Sequence, residues 1–569
     1  MYDRLHKFEQ RVFDACSISL VLFYSYAAII EPAATQYHRG IYVLVTYVLA
    51  FLIYRSQNLW LRFLDYGLIL LSVASIGYWI INFEAINYRA GAETSLDTAM
   101  AIIGVLLGVE LARRVVGTVF VVLGAIMLLY GVYGEYAPEI ISHAGDTFPE
   151  LCTSIFFKSD GVFGIMANVL ATYILLFVIF GAFLEKSGAQ RFFIDFPLAA
   201  VGHKIGGPAK VSVIASGLFG SISGSAIANT VSTGAFTIPM MKKAGFRPHI
   251  AGAIEPAASI GGMFMPPIMG AGGFIMAELT GMPYSEIMII ALFPALMYFF
   301  SVYIMVHFEA KKHNIVGEKT DVRAVDIFKK QWYYTLPLIV ITIFMLSGFS
   351  PGYSAVLGLI ACIAVSWFRK ENRIGLREFV EASRAGAQSS LKIGATVGVI
   401  GIIIGVLTYS GLVLTFADIV IELADGRLFL TIVLIALASL ILGMGVPVTA
   451  AYLITAVVAV PALTHLGVNE IAAHMIVYWL SQDSNITPPV CIAAYAGATI
   501  AKANMWKTAF SAFKFAKFLY LAPFLFGYVP GFSLNGSASD IAISMVLIAV
   551  GTYAYSWLLS GIWLKRGTD

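Results

Sequence analysis

Two polar stretches stand out in an otherwise apolar chain. One is "SQDSNITPP", Ser481 to Pro489, and the other is "GSISGSAIAN", Gly220 to Asn229. Side-chain oxygens of Ser, Thr, Asn and Asp, with backbone carbonyls freed where a helix breaks, are ligands for a hard cation such as sodium. Glycine lets two backbones approach closely, and proline ends a helix while removing one donor. Ser221, Ser223, Gly224, Ser225 and Asn229, with facing backbone from Gly261 and Gly262, form one candidate cation site. Gly443, Gly445, Asp483, Ser484, Asn485 and Thr487 form the other, with Asp483 to Thr487 expected at a hairpin tip beside the Pro488-Pro489 pair. Exposed helix N-termini at the same breaks suit an anion, which makes Ser225, Pro266, Pro267, Pro447, Thr449 and Pro488 candidate substrate contacts.

These residues are positioned by segments that must lie in a membrane. Of 569 residues, 59% are hydrophobic and 12% charged, against about 25% charged in soluble domains. Apolar runs at 171–183, 287–306 and 541–564 approach or exceed the ~20 residues that span a bilayer. The pattern is that of a polytopic all-α protein of the bacterial inner-membrane type, without the alternation of a barrel. A net charge of +3 gives no argument for nucleic acid. Cys16, Cys152, Cys362 and Cys491 have neither CxxC nor metal spacing. No phosphate-binding loop or H-E-x-x-H motif is present, so ATP drive from this chain and metal hydrolysis are unsupported. No cofactor is expected beyond the hard cations of the two candidate sites.

Lysine and arginine concentrate on the cytoplasmic side of membrane proteins. With "MYDRLHKFEQR" inside as an uncleaved tail, spans near 14–30, 41–54, 65–83, 97–112, 115–133 and 165–184 bring Arg55, Arg62, "ARR" and "EKSGAQR" to one face. The segment 134–160 then lies outside. The basic stretches 307–330 and 369–378 and the final "LKRGTD" join the inner face, leaving both termini cytoplasmic. Trp60, Trp332, Tyr333 and Trp563 read as interfacial belts.

A shift of 222 residues pairs Thr233 with Thr455, Pro239 with Pro461, Gly245 with Gly467, Ala251 with Ala473, Ile254 with Ile476, Ser259 with Ser481, and Pro266-Pro267 with Pro488-Pro489. One residue further, Leu184, Ser187 and Gly188 meet Leu407, Ser410 and Gly411. The topology makes the two copies opposite in orientation, about 165–306 and 391–530. Inverted repeats with interrupted helices are the pattern of secondary transporters, whose sites lie near the midplane between the repeats. The polar groups fall at the first break of one copy and the second break of the other. Competing readings are tight packing for the Ser/Gly cluster and a surface turn for Asp483. Glu255, ahead of Pro256, reads equally as a satisfied intrahelical carboxylate or a proton-linked group. Glu278, Glu286 and Asp418 read as interfacial, and Lys242, Lys243 and Arg247 as a cytoplasmic anchor.

The stretches 217–246, 255–278, 442–454 and 481–504 resemble the membrane component of tripartite ATP-independent periplasmic (TRAP) transporters. The resemblance to the large, M-like subunit covers roughly 150–569. Residues 1–135 look like the small, Q-like four-span subunit plus a connecting helix, fused ahead of a permease at 136–569. The combination is most similar to permeases that work with TAXI-type binding proteins. The resemblance implies an elevator-type secondary transporter with two re-entrant helical hairpins and broken helices, related in fold to divalent anion/sodium symporters. It implies sodium-coupled import of a small organic anion, a carboxylate, handed over by a periplasmic binding protein and with no ATPase subunit. A stand-alone sodium/anion symporter, an ion channel and an intramembrane enzyme are the alternatives, the last lacking any nucleophile–base motif.

Overall fold

A computed structural model describes residues 2–56, 59–318 and 322–563, without the side chains of residues 59–61. Trp60 as a belt residue and the basic end "LKRGTD" therefore lie outside what is described. Among the described residues the fold is helical throughout, apart from one isolated bridge between Ile205 and Val316. Ten helices among the described residues are long and apolar enough to cross a membrane, and shorter apolar helices lie among them. The chain is a multi-pass membrane protein.

The N-terminal helices span Lys7–Ile29, Thr35–Ile53, Leu59–Tyr88, Ser95–Val115 and Thr118–Tyr133, matching the five apolar runs in the sequence. They lie against the later helices Pro351–Ser366, Leu376–Gly394 and Val397–Tyr409. Arg384 grips Asp14 with two hydrogen bonds of 2.7 and 2.8 Å and covers the Tyr2 ring at 3.8 Å. Gly108 meets the Gly398 backbone, where a Cβ would lie 2.9 Å from Gly398 Cα. Trp79 stacks on Phe163 with ring centroids 3.7 Å apart. Segment 134–160 contains a short apolar helix, Phe148–Phe157, whose Phe156 fills the notch at Gly104.

Eight helices carry the polar breaks: α1 (Gly207–Ser223), α2 (Ala226–Lys243), α3 (Pro248–Gly261), α4 (Gly270–Thr280), α5 (Leu428–Leu442), α6 (Val448–His465), α7 (Glu470–Ser481) and α8 (Ile492–Ala501). The starts of α6, α7 and α8 follow those of α2, α3 and α4 by 222 residues each, 448 against 226, 470 against 248, and 492 against 270. The backbone repeats with them. Pro266-Pro267 and Pro488-Pro489 are both cis. Met269 and Cys491 both have positive φ, at 56° and 33°, as do Gly245 and Gly467 at the turns before α3 and α7.

Within each half, the first two helices pack along one another, so α1–α2 and α5–α6 are hairpins. The arms α3 and α4, and likewise α7 and α8, do not pack side by side. Each is one helix interrupted at the Pro-Pro pair, and the first arm of each lies against the second arm of the other. At one crossing Gly252 meets the backbone of Gly497; at the other Gly272 meets the Tyr478 ring. The residues Asp483–Thr487 therefore sit in a helix break, not at a hairpin tip as the proline pair alone suggested.

Candidate functional site

The first hairpin turns at Ser223-Gly224-Ser225. Gly224 has φ 60°, the left-handed conformation that glycine adopts without penalty, and Ser225 then extends at φ −144°. Ser225 Oγ accepts from the Ala228 amide at 3.3 Å, capping α2. Ser223 Oγ reaches Ser225 O at 3.5 Å, and Ser221 Oγ donates back to Leu218 O at 2.9 Å. The tip comes to rest at the start of α4, where a Cβ on Gly224 would lie 3.6 Å from Gly270 Cα.

One turn in from the tip, α1 and the first break touch backbone to backbone. A Cβ on Gly220 would lie 2.9 Å from Gly262 Cα and 2.6 Å from Asn229 Nδ2. Asn229 is fully buried and donates to Ser216 O at 2.9 Å. Gly262 thus joins the Asn229 neighbourhood. Gly261 faces the other way, onto the rings of Tyr298 and Phe299, because successive helical positions point about 100° apart. Ser221, Pro266 and Pro267 border an open apolar crevice of about 440 Å³ that Phe299 and Leu338 also line.

The carbonyls freed by the first break are taken up by tyrosines. Tyr284 donates to Ile268 O at 2.6 Å and approaches Pro267 O at 3.0 Å. Tyr478 of α7 reaches across to Met263 O and Met269 O, both at 2.6 Å. Tyr298 bonds Ala257 O at 2.6 Å.

The second break is different. Asp483, Ser484 and Asn485 form a single turn after α7 and are all buried. Asp483 is 4% exposed, its Oδ1 has no hydrogen-bond partner, and neither has Gln482 Nε2. None of the ion pairs among the described residues involves Asp483. Asn485 Nδ2 makes only long contacts of 3.4 Å to Gln482, and Thr487 Oγ1 pairs with Tyr520 OH at 2.6 Å. Gly443, at the end of α5, lies directly on Ser484, where a Cβ would clash. A buried carboxylate with a free oxygen, hydroxyl and amide oxygens alongside and no cationic side chain is a fitting ligand set for a monovalent cation.

Gly445 lies apart from that cluster, against Val119 of the helix Thr118–Tyr133. Pro447 caps α6, and Thr449 is 8% exposed in its first turn. Pro488 sits in the cis pair beyond Thr487. The basic trio is engaged locally: Lys242 with Ala501 O, Lys243 with Glu318, and Arg247 with Glu309 and His313. Glu278 accepts from Asn168, which also holds Arg39.

Sequence reasoning did not assemble one constellation. Glu255 is wholly buried and surrounded by the hydroxyls of Ser212, Ser216, Thr233 and Thr237. The signal was available in the i, i+4 spacing of Ser212/Ser216 on α1 and Thr233/Thr237 on α2, which puts each pair on one helix face.

Comparison with known proteins agrees with this architecture. A putative TRAP transporter large permease protein of Haemophilus influenzae is 24% identical over 317 residues, 55% of this chain and 74% of its own length. The sialic acid TRAP transporter large permease protein of Vibrio cholerae is 22% identical over 346 residues, covering 60% of this chain and 80% of its own. The crystal structure of the YdaH transporter from Alcanivorax borkumensis superposes with a TM-score of 0.50 at 17% identity, over 76% of this chain and 99% of that one, a likeness of fold. The profile of the family described as "Tripartite ATP-independent periplasmic transporter, DctM component" matches residues 103–532. The chain therefore belongs to the DctM, or large permease, family of TRAP transporters, and is a membrane transporter and not an enzyme.

Proposed function

We propose that this permease imports a small organic anion coupled to sodium, receiving it from a periplasmic substrate-binding protein. The observation that carries the cation half is the buried Asp483, with one oxygen unpartnered at an interrupted helix. A sodium ion there supplies the missing positive charge, and by linkage its binding energy can favour the conformation that holds substrate. A second ion is assigned to the neighbourhood of Asn229, Gly220 and Gly262, where the hairpin presses on the first break. Ser225, Pro266, Pro267, Pro447, Thr449 and Pro488 surround the helix N-termini that would face the anion.

The substrate class rests on chemistry shared by relatives, which are named for sialic acid, C4-dicarboxylates and 2,3-diketo-L-gulonate. All carry a carboxylate. The opposite orientation of the two repeats, both termini in the cytoplasm and an elevator movement of the paired hairpins form the remainder of this reading. Residues 1–135 take the part of the small subunit, supported by their packing on Leu376–Tyr409. The connecting helix Thr118–Tyr133 lies between the two parts, with Gly124 against Val399 and Val119 against Gly445. A TAXI-type binding protein is the proposed partner.

The test is uptake of labelled succinate, sialic acid and 2,3-diketogulonate into proteoliposomes, with and without the purified binding protein. The proposal requires uptake of at least one that depends on the binding protein and on an inward sodium gradient. Uptake without the partner makes the chain a stand-alone symporter. Ionic conductance with no stoichiometric uptake makes it a channel.

A further inference from the structure

Glu255 belongs to neither polar break, yet it is the most completely enclosed carboxylate of the helices that carry them. Ser216 and Thr233 close on Oε1, Ser212 and Thr237 on Oε2, the last at 2.5 Å, with Ser259 at 3.5 Å from Oε1. The charged and titratable groups of the surrounding elements are occupied elsewhere. On α1, Lys210 meets His307 at 3.1 Å and lies over Tyr303. On α2, Lys242 bonds Ala501 O and Lys243 pairs with Glu318. On α8, Tyr495 turns to Pro489 O. On the helix Tyr284–Lys312, Tyr298 bonds Ala257 O and Glu309 pairs with Arg247. On the helix Met505–Phe515, Lys507 lies near His249 at the start of α3, and Lys514 near Glu309.

Counting protons shows what the cage lacks. Thr233 Oγ1 is also 2.7 Å from Asn229 O, and Thr237 Oγ1 is 3.1 Å from Thr233 O. A carbonyl holds no proton, nor does a carboxylate, and each threonine hydroxyl holds one. Ionised Glu255 therefore leaves each threonine with two acceptors and a single proton. A proton on Glu255 fills one of these gaps. The carboxyl then donates to Thr233, and Thr233 keeps its bond to Asn229 O. When Glu255 ionises, the Thr233 proton is drawn to the carboxylate and the Asn229 carbonyl loses its hydroxyl donor.

The other half of the molecule has no such cage. At the 222-residue shift Val477 replaces Glu255, Leu434 and Ala438 replace the serines, and Ala459 replaces Thr237. Thr455 and Ser481 remain, the first with a hydroxyl that has no partner and the second donating to Tyr478 O at 2.7 Å. The second half packs the same place with Val477, so packing alone does not call for a carboxylate there.

We propose that Glu255 is a proton-binding site whose occupancy is relayed by Thr233 to Asn229, at the base of the first re-entrant hairpin. It adds a titrating group to the molecule and stands whether or not sodium occupies the Asp483 break.

The test is made on the detergent-purified full-length chain without substrate or sodium. Infrared difference spectra are recorded from about pH 5 to about pH 9, the range in which buried glutamates titrate. The expected result is a protonated-carboxyl band that disappears in Glu255→Gln, persists in Asp483→Asn and shifts in Thr233→Val. Hydrogen exchange over residues 226–233 reads the relay. It should quicken by about fivefold as the wild type ionises, the worth of one hydrogen bond, beyond any change that Glu255→Gln shows over the same pH steps. Absence of a carboxyl band that Glu255→Gln removes overturns the site. A band without the exchange difference overturns the relay to Asn229. If Glu255→Gln does not accumulate, Thr233→Val and Thr237→Val keep the acid and must both move its band; an unmoved band overturns the proposal.

Discussion

Replacing Asp483 by Asn separates a cation site from a structural carboxylate, because the two readings predict opposite effects. Asp483 is 4% exposed, has one oxygen without a partner and lacks a basic neighbour. Burying an uncompensated charge costs several kcal/mol, so the amide, nearly the same in shape, removes a penalty. Without sodium, Asp483→Asn should unfold at the wild-type temperature or above it. With sodium, a site that binds only the folded state adds about 1.4 kcal/mol for each tenfold rise in concentration above Kd. For a chain of this length that is on the order of 1–2 °C per decade of sodium. The assay is thermal unfolding followed by intrinsic tryptophan fluorescence, with choline replacing sodium at constant total salt so that screening is unchanged. The variant should lose one site's share of that slope and keep the share of the ion assigned near Asn229. A slope equal to wild type would remove Asp483 from the ion site. A large drop in sodium-free stability would mean that its carboxylate serves the fold through a partner not seen here.

Other changes probe the framework. Gly262→Ala places a methyl group against the Gly220 backbone, which no side-chain rotation relieves. The expected cost is about 1–3 kcal/mol, read by thermal unfolding, with weakened sodium stabilisation that Asp483→Asn does not further reduce at the Asn229 site. Tyr478→Phe keeps the ring on Gly272 but strips Met263 O and Met269 O of their donor. It should destabilise by about 1–3 kcal/mol in the same assay. Arg384→Ala takes from Asp14 its cationic partner and leaves it the Tyr2 hydroxyl, and should raise protease sensitivity of the first helix, Lys7–Ile29, with little change in the exchange of α3 and α7.

The repeat was legible because its marks are local. Proline pairs, the glycines before α3 and α7, and the start of each helix are dictated by a few neighbouring residues, and all recur at one spacing. What a proline pair does not dictate is whether the next helix folds back or continues. That choice is made by whatever packs beside the second arm, here α3 against α8 and Tyr478 against α4, and so Asp483–Thr487 was placed at a tip and found in a break. Adjacent glycines pose a similar problem. Gly261 and Gly262 are equivalent in sequence, yet their faces diverge, one to Tyr298 and the other to Gly220. Gly445 shares a glycine-rich turn with Gly443 but meets Val119, a contact across more than 300 positions that no local pattern encodes. The Glu255 cage needed two helix faces to be brought together, although each face was visible by its spacing.

The two breaks are built alike and finished differently, and the difference has a physical reading. At Pro266-Pro267 the freed carbonyls of Met263, Pro267, Ile268 and Met269 are claimed by the hydroxyls of Tyr478 and Tyr284. Each hydroxyl carries one proton for two carbonyls, so the protein meets part of that break's demand and leaves less for an ion to supply. At Pro488-Pro489, Asp483 Oδ1 and Gln482 Nε2 are left unpaired, so its most stable form includes a bound species that supplies what the protein does not. Tyr478 joins the two, since it extends from α7, which leads directly into the Asp483 turn, and its hydroxyl ends on the carbonyls of the other break. Ordering of the second break by a cation therefore acts on the helix that anchors Tyr478, and through it on the break that adjoins the first hairpin tip. In this arrangement the better satisfied break provides the rigid member and the less satisfied one the responsive member. Their crossing is the route by which an ion at Asp483 can alter the geometry around Ser225, Pro266 and Pro267.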